Sequence, residues 1–207
     1  RNAAAPDVIL TATNSDHVIA AVRSGEADLG FIEGPNAPKG LRSKIIYHDE
    51  LVVVVPPTHR WARRSTPINA DELSRVPLVS REQGSGTRES LIAALRRSLG
   101  DSPHLAPPAI ELSSATAMRA AVRAGAGPAV MSRLSAADDL ALNRLREIPV
   151  ADLNLRRELR AIWVGARTPP AGAVRDLLSH IVRQRPVGAR LVPATGPRPS
   201  PASPPPK

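Results

Sequence analysis

Ala27-Asp28-Leu29-Gly30-Phe31-Ile32, closing on Glu33-Gly34-Pro35, is the segment from which the rest of this chain can be read. Its apolar residues end at a Gly-Pro turn, as in a short buried strand. Upstream, Val18, Ile19 and Val22 recur at helical spacing in a helix that Asn14, Ser15 or Asp16 can cap, and Gly25 ends it. Before that helix, Val8-Ile9-Leu10 is a second apolar run suited to a buried strand. Strand, helix and strand within so few residues predict a βαβ unit, hence a parallel sheet covered by helices.

Farther along, Leu41 to Tyr47 and Leu51 to Val55 predict two strands around a polar turn at Asp49-Glu50. Leu51-Val52-Val53-Val54-Val55 is apolar at every position, as in a strand buried on both faces, and Pro56-Pro57 stops it. A loop through His59 and Trp61 leads to a short helix around Asp71 to Ser74. Further strands are expected at Pro77 to Arg81, Ala109 to Leu112, Pro128 to Met131, Leu145 to Val150 and Leu159 to Val164. Helices are expected from Thr87 to Leu99, from Ser113 or Ser114 to Ala124, and from Ala171 to Arg185. Alternating strands and helices give the α/β class. Seven of the 22 prolines follow Val187, and residues 187–207 read as a disordered tail unable to bury enough apolar surface.

Composition excludes several kinds of chemistry. With no cysteine, disulfides, thiol catalysis and Cys-ligated zinc are ruled out, and a reducing cytoplasm is compatible. Aromatics are 2%, too few for stacking platforms that hold single-stranded nucleic acid. The net charge of +9 is spread over Arg pairs interrupted by acids, which reads as a solvated basic surface with a tendency toward anionic ligands. No apolar run approaches the roughly 18 residues of a membrane span.

Arg81-Glu82-Gln83-Gly84-Ser85-Gly86-Thr87-Arg88-Glu89 is the most informative polar segment. Two glycines allow close backbone approach, and Ser85, Gly86 and Thr87 stand where free N–H groups open a helix and favour an anion. Plain helix capping is the competing reading. The segment is neither an NTPase phosphate loop nor a dinucleotide fingerprint, since Glu89 occupies the third glycine position. Asn14-Ser15 and Ser114 lie at two more strand-to-helix junctions, where open parallel sheets place ligands, and capping competes there too. Met131-Ser132 attracts no role. The five histidines are scattered without metal-ligand spacing, no Gly-x-Ser-x-Gly elbow occurs, and Asp138-Asp139 reads as a solvated helix face. No catalytic residue, metal site or cofactor is assigned.

Taken together, these motifs resemble a known family. Asn14-Ser15 with Val18 and Val22, followed by Gly25 through Gly34, is similar to the hallmark run of LysR-type effector domains. Asp49 to Val54, Pro57-x-His59, Glu72-Leu73 and Pro77-Leu78 resemble the segment entering that family's second lobe. Arg81-Glu82-x-Gly84-Ser85-Gly86-Thr87-Arg88 resembles the variant in regulators related to CysB and YeiE, and Ala121-Val122-x-x-Gly125-x-Gly127 the later helix-turn-strand.

The resemblance covers about residues 6 to 185. It implies a two-lobed type 2 periplasmic-binding-protein fold with two crossover strands, the first lobe at residues 1–55 plus 158–186 and the second at 56–157. By position, Asn14 and Ser15 would line one rim of the cleft, and Ser85, Gly86 and Thr87 the other, with Ser114 nearby. The implied function is sensing a small, anionic effector within a homodimer or homotetramer in the cytoplasm. DNA would be held only through a winged helix absent from this chain. The family's first strand and helix are expected before Arg1, so this chain by itself should bind effector poorly and operator not at all. A transporter's solute-binding protein shares the fold and is the competing reading.

Overall fold

The computed structural model describes residues 8–183; the Pro-rich tail lies outside them. The elements are α1 (Ser15–Ser24), β1 (Gly30–Ile32), β2 (Arg42–Val55), α2 (Ala70–Ser74), β3 (Val79–Arg81) and α3 (Gly86–Leu99). They continue as β4 (Ile110–Leu112), α4 (Ala115–Arg123), β5 (Ala129–Ser132), α5 (Arg133–Ala141), β6 (Arg146–Ile148), β7 (Arg156–Trp163) and α6 (Ala173–Arg183). A 3-10 turn at Arg60–Arg63 replaces the expected loop.

The long strand β2 organises the molecule. Through Glu50 it pairs antiparallel with β7, which in turn pairs with β1. From Leu51 onward it pairs instead with β5 and β6. Beyond β5 lie β3 and β4, and β3 runs parallel to both β5 and β4. The sheet order is therefore β1-β7-β2-β5-β3-β4, with one strand shared between two regions.

The all-apolar run 51–55 has a direct structural cause. Leu51, Val53 and Val55 pack with Trp61, Ile68, Leu73, Leu91 and Leu95 on one face. Val52 and Val54 pack with Met118, Val122, Ala136 and Leu145 on the other. Each buried side chain of this kind contributes roughly 1.5–3 kcal/mol by leaving water. The other sheet region is covered by α1, where Val22 meets Ile32 and Ile162, and by α6, where Leu178 meets Ala161 and Trp163.

Four sequence expectations are corrected. Val8-Ile9-Leu10 is not a strand: all three side chains are exposed, Ile9 at 93%, and among the described residues no strand pairs with them. An apolar triplet becomes a strand only where a sheet edge receives it. The sheet beside α1 is consequently antiparallel rather than a parallel βαβ unit. Ala27–Leu29 precede the strand rather than joining it. Finally, Asp49-Glu50 forms no turn; both lie within β2, whose irregularity falls between Ile45 and Tyr47.

Candidate functional site

Asn14 opens α1 as expected: its Oδ1 accepts from the His17 backbone N–H at 3.0 Å. Its amide also donates to the Gln83 carbonyl at 3.5 Å, and the Asp16 N–H donates to the Gly84 carbonyl at 3.2 Å. Ser15 Oγ accepts from the Glu33 N–H at 3.4 Å. The opening of α1 thus meets the loop before α3 directly. Gly84 sits at φ +82°, a left-handed conformation that glycine adopts freely. Gly86 is needed for a different reason. A Cβ there would lie 2.7 Å from the Glu33 carbonyl carbon and 2.9 Å from the Gly34 nitrogen.

Asn14, Ser15, Ser85, Gly86 and Thr87 therefore come together, but in contact rather than across an open gap at that point. Ser85 is buried and makes no side-chain capping bond to α3. Ser114 stands apart from this cluster, where its Oγ accepts from the Ala117 N–H at 3.1 Å and caps α4.

The gap opens beside Thr87, as a small cleft of about 50 Å³. It lies outside the carboxyl ends of the parallel strands β3 and β5, where open α/β sheets leave a crevice. Three helices contribute their first turns to its wall: Thr87 from α3, Ala115 and Met118 from α4, and Ser132 and Ser135 around the start of α5. Arg81, at the end of β3, adds a cation. Helix openings present free N–H donors and the positive end of the dipole, so this wall suits negative charge.

The opposite side brings Glu33 and Arg157. The Arg157 guanidinium, 2% exposed, donates from Nε and Nη2 to Asp49 Oδ2 at 2.9 and 2.7 Å. Its Nη1 donates to Glu33 Oε2 at 2.9 Å and to Thr87 Oγ1 at 3.0 Å. The Thr87 hydroxyl itself donates to Glu33 Oε2 at 3.2 Å, and Ser132 donates to Asp49 Oδ1 at 3.0 Å. Nearby, the Arg81 guanidinium is hydrogen-bonded to Glu82 and holds its carboxyl below the usual carboxylate range, against the opposing effect of burial.

Sequence reading missed Glu33, Arg81, Ser132, Ser135 and Arg157 as cleft residues, and Asp49 as the partner that holds Arg157 there. Glu33 and Arg81 did lie in singled-out motifs, whereas Arg157 is 108 residues from Asp49. Asp139 is a further correction. It is buried rather than solvated, within 3.6 Å of Arg119 and 3.7 Å of Arg123, because α4 packs its arginines over α5. No group of metal-ligating side chains with suitable spacing occurs among the described residues.

The sequence model of the LysR substrate binding domain matches residues 3–185. This chain belongs to the LysR substrate-binding domain family. It is 66% identical over 181 residues to an uncharacterised HTH-type transcriptional regulator of Mycobacterium tuberculosis, covering 87% of this chain and 58% of that one. It is 37% identical over 154 residues to the Escherichia coli HTH-type regulator YeiE, covering 74% of this chain and 50% of that one. The LysR-family chain thus spans about half the length of these curated relatives. The regulatory domain of Synechocystis CcmR, solved in complex with 2-PG, superposes with a TM-score of 0.71 at 21% identity, covering 85% of this chain and 82% of that one. That likeness places the LysR domain in the two-lobed type 2 periplasmic-binding-protein fold, with β2 as a crossover strand.

Proposed function

We propose that this domain senses a small anionic metabolite in the cleft between β3, β5 and Arg157, as the non-enzymatic regulatory half of a LysR-type transcriptional regulator. One observation carries the reading: three helix openings and Arg81 converge on a single crevice. The lobes would comprise residues 1–55 plus 158–186 and residues 56–157. Asn14, Ser15, Ser85, Gly86 and Thr87 would form the seam where they meet, with Ser114 holding α4 at the cleft's far side.

Binding shifts a two-state equilibrium only through differential affinity. An anion held between Thr87 of the second lobe and Arg157, at the boundary of the lobes on the shared strand β7, would favour one lobe arrangement and repack a homodimer or homotetramer. DNA contact would come from a winged helix N-terminal to this segment, in the cytoplasm. Relatives named as HTH-type transcriptional regulators, at 66% and 37% identity, support this over a transporter's solute-binding protein.

Calorimetric titration of small carboxylates and oxyanions into the full-length regulator tests the site. Thr87→Val leaves the polar groups around it unsatisfied, which costs about 1–3 kcal/mol, or roughly a five- to 150-fold loss of affinity. Ser85→Ala is expected to weaken binding less. Unchanged affinity in both variants would remove these residues from the site.

A further inference from the structure

The cleft wall built for an anion already faces one. Glu33 follows β1, in the half of the molecule opposite α3, and its Oε2 lies 3.2 Å from Thr87 Oγ1 and 2.9 Å from Arg157 Nη1. Two features mark this carboxylate as surplus to the fold. Arg157 is already neutralised by Asp49, whose side chain is as buried as its own, through two hydrogen bonds to one oxygen. Glu33, by contrast, keeps a side chain 42% exposed, so water can receive it at little cost. Its backbone is anchored independently, since its N–H donates to Ser15 Oγ and its carbonyl accepts from Ser90 Oγ at 3.1 Å. The side chain can therefore swing while the loop stays seated on α3.

We infer that Glu33 is a tethered stand-in for the effector: its carboxylate occupies the anion seat, and a free carboxylate or oxyanion binds by displacing it from Thr87 and Arg157. The inference rests on the anionic reading of the cleft given above. It adds that part of the ligand's apparent affinity is spent on eviction. When the competent state is populated only fractionally, the apparent dissociation constant rises by the inverse of that fraction. Glu33 also joins the two halves, so eviction replaces an internal bridge by a ligand bridge.

Sodium sulfate and sodium acetate are titrated calorimetrically into the full-length regulator, with sodium chloride at matched ionic strength as the control. Glu33→Gln keeps the shape and gives up the charge, and it is expected to bind sulfate or acetate about tenfold more tightly than the parent. Glu33→Asp keeps the charge on a shorter arm that reaches Thr87 and Arg157 less well, and it is expected to shift in the same direction. Adding Thr87→Val to Glu33→Gln should abolish the gain. Binding by the parent with no gain, or a loss, in both Glu33 variants would overturn the stand-in role while leaving the anionic cleft intact. No specific binding by any of these proteins would overturn both.

Discussion

Arg157 retains a buried charge because every nitrogen of its guanidinium is matched, two on Asp49 and one on Glu33 and Thr87. Buried pairs of this kind contribute little net stability against an apolar pair, yet removing one partner strands the other. Arg157→Met should therefore destabilise the domain by about 3–5 kcal/mol through the uncompensated Asp49. Replacing Asp49 by Leu in the same protein should recover most of that loss, read as the midpoint of urea unfolding. None of this is visible along the chain. Asp49-Glu50 resembles a polar turn until β7 is placed beside it, where Asp49 pairs with Arg157 and Glu50 with Arg156. Charge complementarity between strands becomes a signal only once register is known.

At the scale of elements, helices were the most legible parts. The α1 opening at Asn14 and its Gly25 stop, and the start of α3 near Thr87, all follow from local capping and periodicity. Local chemistry also explains the end of β2 before Pro56. What it does not reveal is contact between elements. Gly86 reads as a flexible turn residue, but its role is to let the Glu33-Gly34 backbone pass within 3 Å of where a Cβ would stand. Gly86→Ala forces backbone apart rather than a side-chain tip, and overpacking of this kind costs about 1–3 kcal/mol. The expected outcome is faster amide exchange over residues 32–35 and 83–87, with the core strand β2 still protected. Equal loosening of β2 would mean that this contact is part of the core itself.

For the whole molecule, a single strand shared by two sheet regions couples the halves, and the cleft lies beside that strand's sheet. An anion bound only to the folded state stabilises it by mass action. At 100 times its dissociation constant the gain is about 2.7 kcal/mol. A cognate carboxylate or oxyanion should therefore raise the urea midpoint without changing the slope of the transition, since the surface exposed on unfolding stays the same. In Thr87→Val at the same ligand concentration, that rise should shrink in step with the lost affinity. A ligand that stabilised both proteins equally would be binding elsewhere.

By itself the sequence determined the α/β class, the doubly buried run Leu51 to Val55 and the capped helices. These depend on periodicity and on backbone donors within a few residues, which a linear reading captures. Only the tertiary structure decided that Val8-Ile9-Leu10 stays outside the sheet, that β2 is one strand, and that Glu33, Asp49 and Arg157 converge on Thr87. Those outcomes turn on which distant strand lies alongside and in what register, and burial then converts an ordinary surface charge into a bridge between the two halves of the fold.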